Sequence, residues 1–249
     1  MTTLSAFVIT LNEEKNIERC LRSLSFADEI IVLDGGSRDA TVSLAKRFTE
    51  KVFERKFDDF ASQKNAALGR VSGVWALSVD ADEEVSPGLS AEIRRIVGSG
   101  AKENAFRIRR RTRLFGKDFR FSGLQDDRPA RLFRKGRVLF EGPVHERPII
   151  EGNTGILKNE LSHFSFQTIG EHLRRLQLYT SLEPAPSPGR KSGFFDMGVR
   201  PLARFFSLYF FKQGFRDGTE GWIYCVLSGY YEFIRRVKHW ERNRSKEAR

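Results

Sequence analysis

Apolar residues along the chain fall first into short continuous runs separated by amphipathic stretches. Leu4–Thr10 (LSAFVIT) is one such run, ended by Asn12, and residues 13–24 then place Ile17, Cys20, Leu21 and Leu24 at helical spacing. A buried strand followed by a helix is predicted. Residues 29–33 (EIIVL) form a second run, closed by Asp34-Gly35-Gly36-Ser37, and residues 40–48 carry Val42, Leu44, Ala45 and Phe48 in a helical stripe. A short strand at 51–54, a helix over Phe60–Leu68 and an apolar strand at 74–79 (VWALSV) continue the alternation. Such alternation predicts a mostly parallel sheet covered by helices on both faces. Ser86-Pro87 has the form of a helix start, with serine as cap and proline in the first turn, which leaves residues 80–85 as the loop before that helix.

From Phe106 the pattern turns to strands. Residues 106–114 read as one, and a hairpin is predicted between 131–133 and 138–140 around Lys135-Gly136, extending the sheet edge with antiparallel strands. Ile169–Leu182 reads as a helix, and residues 183–193, with three prolines and two glycines, as a linker. Residues 194–240 are aromatic, basic and helical in pattern.

At 249 residues, with 40% hydrophobic and 30% charged positions, the chain suits a globular protein and neither a disordered one nor a polytopic membrane protein. The first residues have no basic leader before their short apolar run, so a buried strand is expected there and a cytoplasmic location. Cys20 and Cys225 stand far apart and belong to no paired motif. Reduced buried thiols are expected, without a disulfide or a cysteine zinc site. The net charge of +11 is local: residues 106–137 hold twelve Lys/Arg against three acids, and residues 200–249 hold eleven against five. These patches favour anionic partners.

A strand-helix-strand opening raises the question of nucleotide binding. A dinucleotide fold needs G-x-G-x-x-G at the first turn, where this chain has Thr10-Leu11-Asn12-Glu13-Glu14. Acidic side chains there repel a pyrophosphate but accept hydrogen bonds from a base or ribose, as does Asp34 at the end of the second strand. Asn12 and Glu13 have a second reading as helix caps. Asp80-Ala81-Asp82-Glu83-Glu84 places four acids in five residues after a buried strand. Such a cluster is either a solvated loop or a site for a hard cation, Mg²⁺ or Mn²⁺, shared with substrate phosphates. Asp34 and the Asp80 cluster both fall at carboxyl ends of strands, where open α/β sheets bind ligands.

Val8-Ile9-Thr10-Leu11-Asn12-Glu13-Glu14, Ile31-Val32-Leu33-Asp34-Gly35-Gly36-Ser37-Arg38-Asp39-Ala40-Thr41, Gln63-Lys64-Asn65 and Leu77-Ser78-Val79-Asp80-Ala81-Asp82-Glu83 occur in this order. Together they resemble family 2 glycosyltransferases. Arg131-Leu132-Phe133-Arg134 and Phe140-Glu141-Gly142-Pro143-Val144-His145-Glu146 are further similar to the branch with lipopolysaccharide-core β-glucosyltransferases. The resemblance implies a GT-A fold of the Rossmann-like α/β class over residues 1–170, with a nucleotide-sugar part at 1–100 and an acceptor part at 101–170. Residues 171–249 then form a helical, basic region. It also implies a nucleotide-diphosphate sugar donor, a divalent metal and inversion at the anomeric carbon. By the same analogy Thr10, Asn12, Glu13 and Asp34 hold the nucleoside, Lys64 lies near it, and Asp80 and Asp82 serve ribose, phosphate and metal.

The family's Q-x-x-R-W string near the acceptor is absent, which leaves the base to be sought elsewhere. An inverting transfer needs a carboxylate within reach of the acceptor hydroxyl. Glu146 is the first candidate, with Asp126 and Asp127 as alternates; His145 is a candidate for metal or phosphate, or else part of a surface strand end. The arginines of 107–113 read either as the solvated basic face of a strand or as contacts to diphosphate or an anionic acceptor, and Arg128, Arg131 and Arg134 carry the same two readings. In the tail, Phe205-Phe206-Ser207-Leu208-Tyr209-Phe210-Phe211 between Arg204 and Lys212 is too short to span a bilayer and suits either an interfacial helix on an anionic membrane or internal packing. The expected reaction is transfer of glucose from a uridine-diphosphate donor to a lipid-linked surface glycan, with no specific nucleic acid partner and oligomerisation open. The competing classes are a nucleotidyltransferase, which needs a glycine-rich basic first loop, and a non-catalytic binder of anionic membrane or nucleic acid, which leaves the acids at two strand ends unexplained.

Overall fold

The computed structural model describes residues 3–142, 146–182 and 194–247. In chain order the elements are β1 (Leu4–Thr10), α1 (Ile17–Ser23), β2 (Glu29–Asp34), α2 (Thr41–Ala45), β3 (Val52–Glu54), α3 (Phe60–Leu68), β4 (Trp75–Asp80), β5 (Glu83–Val85) and α4 (Pro87–Gly98). The strands β6 (Ala105–Leu114), β7 (Lys117–Asp118), β8 (Ala130–Arg134), β9 (Val138–Glu141), β10 (Arg147–Ile150) and β11 (Thr154–Phe164) follow, then helices α5 (Ile169–Leu182), α6 (Phe194–Phe206) and α7 (Gly218–Glu247). The chain divides into two compact units, residues 1–111 with 127–164, and residues 112–126 with 165–249.

In the first unit β3, β2, β1 and β4 run parallel in that order, and the sheet continues through β8, β6, β11 and β5, with β8 antiparallel to both β4 and β6 and β11 antiparallel to β5. This is the α/β, Rossmann-like arrangement expected, with a parallel half followed by a mixed edge. Side chains on β1 alternate between two cores. Leu4, Ala6 and Val8 join Ile17, Leu21 and Leu24 of the α1 side, whereas Phe7 joins Ile31, Leu33, Ala61, Phe133 and Phe140. Burial on both faces explains why these strands are apolar throughout. Ser86 caps α4 by accepting from the Leu89 amide at 3.2 Å, with Pro87 in the first turn, as its sequence predicts.

Three local expectations are corrected. The helix after β1 starts at Ile17, later than residue 13, because Asn12 stands at φ 55° and is tied to the next loop rather than to the helix. The stretch 80–85 is not all loop: Glu83–Val85 forms β5 against β11, with Glu83 and Val85 both buried. The turn at Lys135-Gly136 forms, with Gly136 at φ 79°, but β8 and β9 do not pair. Both edges of β8 are occupied, by β4 and β6, so β9 pairs with β10 instead.

Among the described residues the second unit is helical apart from β7 and the end of β6, Arg113–Leu114, with which β7 pairs. Its centre is the buried Asp217 carboxylate, which accepts from the Arg120 and Phe121 amides at 3.0 Å each and from Ser122 Oγ at 2.8 Å. A π-helical turn (Ser207–Phe211) and a 3₁₀ turn (Gly214–Asp217) join α6 to α7. A Cβ on Gly221 would stand 2.2 Å from the Gly214 carbonyl oxygen, so only glycine permits that approach. Among the described residues no helix is long and apolar enough to cross a membrane. Residues 183–193, read as a linker, lie outside the described residues.

Candidate functional site

The carboxyl ends of β1, β2 and β4 lie side by side: Thr10 is opposite Asp34, and Ile9 is opposite Asp80. Parallel pairing therefore gathers at one edge of the sheet residues that are far apart in sequence. The Thr10 hydroxyl is buried and has no hydrogen-bond partner among the described residues. Asn12 donates its backbone N–H to Ser37 Oγ at 2.8 Å and accepts from the Arg38 amide at 2.8 Å. Glu13 donates its amide to Thr41 Oγ1 at 2.8 Å, and its carboxylate accepts from Asn16 Nδ2 at 2.8 Å. Asp34 folds its own loop, accepting from the Gly36 and Ser37 amides at 2.8 and 2.7 Å and from Ser37 Oγ at 2.5 Å. The Asp-Gly-Gly-Ser run is thus a built turn, with Gly36 at φ 97°, where glycine is favoured.

Lys64 projects from α3 and is 2% exposed. Its ammonium lies 3.0 Å from Asp80 Oδ1 and 2.6 Å from Glu146 Oε1. A buried cation needs such partners, since burial without them costs far more than the pairs return. The other oxygen of Asp80 bonds to Arg131, a buried residue of β8 whose guanidinium also lies 2.5 Å from Glu83 Oε1. Glu83, fully buried, accepts from the Asp80 amide at 2.9 Å and lies 3.5 Å from Arg110, which in turn pairs with Asp127 at 2.6 Å. Burial alone would raise the Asp80 carboxyl, but the charges of Arg131 and then Lys64 outweigh it and hold the group well below the usual carboxylate range. Burial likewise opposes the Arg131 charge, and Asp80 and Glu83 reverse that effect and raise it. The acid cluster is therefore compensated group by group.

Asp82 has a different neighbour. Its Oδ2 lies 3.4 Å from His163 Nε2 of β11, each side chain 14% exposed, while its carbonyl accepts from the Phe164 amide at 2.8 Å. One carboxylate and one imidazole are donors that Mn²⁺ accepts and Mg²⁺ tolerates in part, with substrate phosphates completing the shell. Among the described residues no three His, Cys, Asp or Glu converge on one point, so the protein supplies at most part of such a shell. The donor set fits a cation that arrives with a diphosphate.

Thr10, Asp34, Lys64, Asp80, Arg131 and Glu146 are thus joined by register or by direct contact. Asp127 is held by Arg110, and Arg128 is exposed, its carbonyl accepting from Arg107 at 3.2 Å. Asp126 belongs to the second unit, where it pairs with Lys212 at 2.8 Å. His145 lies outside the described residues. His163 was not among the sequence candidates, and Glu83 and Arg110 entered only as members of the acidic cluster and of the 107–113 arginines. The strand carrying His163 has mixed polar and apolar residues, and an isolated histidine in it carries no pattern of its own.

The family described as Glycosyl transferase family 2 matches residues 5–134. The chain is similar to a lipopolysaccharide core biosynthesis glycosyltransferase of Rhizobium meliloti (strain 1021), 29% identical over 96% of this chain and 93% of the relative. An uncharacterized glycosyltransferase of Rickettsia typhi (strain ATCC VR-144 / Wilmington) is 27% identical over 96% of this chain and 87% of the relative. Among solved structures, glucosyl-3-phosphoglycerate synthase from Mycobacterium tuberculosis, in complex with Mn²⁺, uridine diphosphate and glucosyl-3-phosphoglycerate, is similar over 65% of this chain and 72% of that chain. Its sequence identity is 16% and its TM-score 0.46.

Proposed function

The chain belongs to glycosyl transferase family 2, and from that premise we propose that it transfers glucose from uridine diphosphate glucose to a sugar of a lipopolysaccharide core or another lipid-linked surface glycan. The acceptor class is supported by the Rhizobium meliloti relative, which aligns over nearly its whole length. The observation that carries the reading is the edge formed by β1, β2 and β4, where Asp82 with His163 stands at the end of the strand that carries the Lys64–Asp80–Glu146 cluster.

In this reading the Thr10 hydroxyl, Asn12, Glu13 and Asp34 hold the nucleoside, and Asp82 with His163 holds a divalent cation. A bound cation supplies charge screening for the diphosphate as it departs. Lys64, anchored by Asp80, orients the Glu146 carboxylate. The acceptor hydroxyl oxygen forms a bond to the anomeric carbon from the face opposite the phosphate, the carbon–oxygen bond to the diphosphate breaks, and Glu146 takes the hydroxyl proton. Uridine diphosphate leaves with the bonding electron pair, and the anomeric centre is inverted. Arg128 and the exposed arginines of β6 meet the anionic acceptor.

The experiment is a thermal-shift panel of nucleoside diphosphates with and without Mn²⁺, because a ligand that binds only the folded chain raises its melting temperature. Metal-dependent protection by uridine diphosphate is expected, and its loss in Asp82→Ala. Glu146→Ala should keep that protection and lose turnover; full activity in this variant moves the base to Asp127 or Asp126. Calorimetry that detects no Mn²⁺ or Mg²⁺ uptake at saturating uridine diphosphate overturns the assignment.

A further inference from the structure

Two helices of the second unit carry an unusual amount of exposed aromatic surface. On α6 the exposed residues Phe195, Val199, Leu202 and Phe206 recur at steps of four, three and four, which makes one continuous stripe. The stripe runs on through Phe210, whose ring stacks on Phe206 at 5.7 Å, to Phe211, 82% exposed. On α7 the exposed Trp222, Val226, Tyr230, Phe233 and Trp240 make a second stripe. At 1.5 Å per residue it is about 27 Å long.

The two helices are antiparallel, since Asp196 lies 3.8 Å from Arg236 while the Pro201 carbonyl lies 2.9 Å from where a Cβ on Gly229 would stand. Residues advance about 100° each around a helix. By that count each stripe is offset in the same rotational sense from the residues that meet the other helix, Pro201 and Phe205 on α6 and Gly229 and Arg236 on α7. In an antiparallel pair, offsets of the same sense bring both stripes to one side. The result is a two-helix apolar face, and patches of that kind mark an interaction surface.

Charge decides what covers it. Residues 200–249 carry eleven Lys/Arg against five acids. The Arg244 guanidinium lies 5.4 Å from the Trp240 ring centre. A second copy docking symmetrically through this face would bring two such basic segments together, which is unfavourable. An anionic headgroup layer meets the basic residues while its acyl boundary accepts the aromatic rings, and Trp, Tyr and Phe beside Arg are the residues that settle at that depth. We infer that the α6–α7 face docks on an anionic lipid bilayer, lying in its surface without crossing it. This inference does not rest on the sugar-transfer reading.

The test is flotation of the full chain with phosphatidylcholine vesicles, with and without about 30% phosphatidylglycerol, read together with tryptophan emission. Binding is expected to the anionic vesicles, to weaken with added salt, and to shift the emission of Trp222 and Trp240 to the blue. Leu202→Glu/Phe206→Glu should bind more than about tenfold more weakly, with its melting temperature unchanged. Phe211→Glu, at the most exposed ring, should weaken binding in the same direction if the double variant fails to fold. The inference is overturned if the wild-type chain does not float with anionic vesicles, if it binds neutral vesicles equally well at any salt, or if both variants float undiminished. Sedimentation showing a lipid-free dimer that Leu202→Glu/Phe206→Glu dissociates would also overturn it, in favour of a second copy.

Discussion

Replacing Arg131 with Met removes the cation shared by two buried acids while roughly conserving side-chain volume. Glu83 is fully buried and lies 2.5 Å from the guanidinium, and Asp80 bonds to the same nitrogen. At an effective dielectric of about 20, a pair at that distance attracts by about 6 kcal/mol before desolvation is subtracted. Breaking a buried pair from one side typically costs roughly 3–5 kcal/mol, because the orphaned charge stays behind. Arg110, at 3.5 Å from Glu83, and Lys64, at 3.0 Å from Asp80, limit the damage. We therefore expect Arg131→Met to lose about 3 kcal/mol at about pH 7.5, measured by urea unfolding as a lower midpoint at constant slope. The pH dependence has a definite sign. In the wild type Asp80 is depressed, so its stabilising contribution is present above the unfolded carboxylate value and is lost as pH falls through the lower folded value. In the variant the burial of Asp80 is less opposed, its carboxyl rises, and acidification lets it become neutral. The gap between the two stability curves should narrow as pH falls to about 4 and go on narrowing below it as wild-type Asp80 loses its contribution, and Arg131→Met/Glu83→Gln should recover part of the loss at neutral pH. A variant within about 1 kcal/mol of wild type at neutral pH, with no convergence in acid, would refute the reasoning.

Three further outcomes are expected. His163→Gln should weaken Mn²⁺-dependent binding of uridine diphosphate by about tenfold or more in calorimetry, with cation-free stability close to wild type. Gly221→Ala forces a methyl group against the Gly214 carbonyl and should cost roughly 3 kcal/mol, seen as a lower melting temperature. Burial opposes the ionised form of Glu29, but Lys51, Ser5 and Ser72 bond to it and lower its pKa from 4.5 to about 2. That depressed group stabilises the fold above about pH 4.5 and ceases to do so as pH falls toward about 2, so Glu29→Gln should be less stable by about 2 kcal/mol at neutral pH, with the gap closing in acid melts.

Much of the parallel half is legible in the sequence because β1, β2 and β4 are mostly apolar and α1 and α4 each carry an apolar stripe. Phe60–Leu68 and Ile169–Leu182 have their predicted bounds, and Ser86-Pro87 starts its helix as predicted. What escaped notice depends on partners distant in sequence. Glu83 reads as a loop acid because a charge in a strand core makes sense only once Arg131 and Arg110 are beside it. The pairing of β8 with β4 and β6 fills a slot between two strands whose paired residues lie more than twenty positions earlier in the chain, which no local turn signal encodes. Lys64, Asp80 and Glu146 were singled out separately, and only the fold brings one ammonium against two carboxylates. His163 had no signal of its own, because its meaning comes from the carboxylate across from it.

The chain leaves its first unit at Arg111, spends residues 112–126 in the second, and returns at Asp127. The Asp217 carboxylate draws all three of its described donors from that excursion. The tail is consequently not a detachable cassette. A chimera that exchanged only residues 165–249 for those of another protein would remove Asp217 and leave the three donors of the excursion without their acceptor, so the two pieces must be inherited, grafted or truncated together.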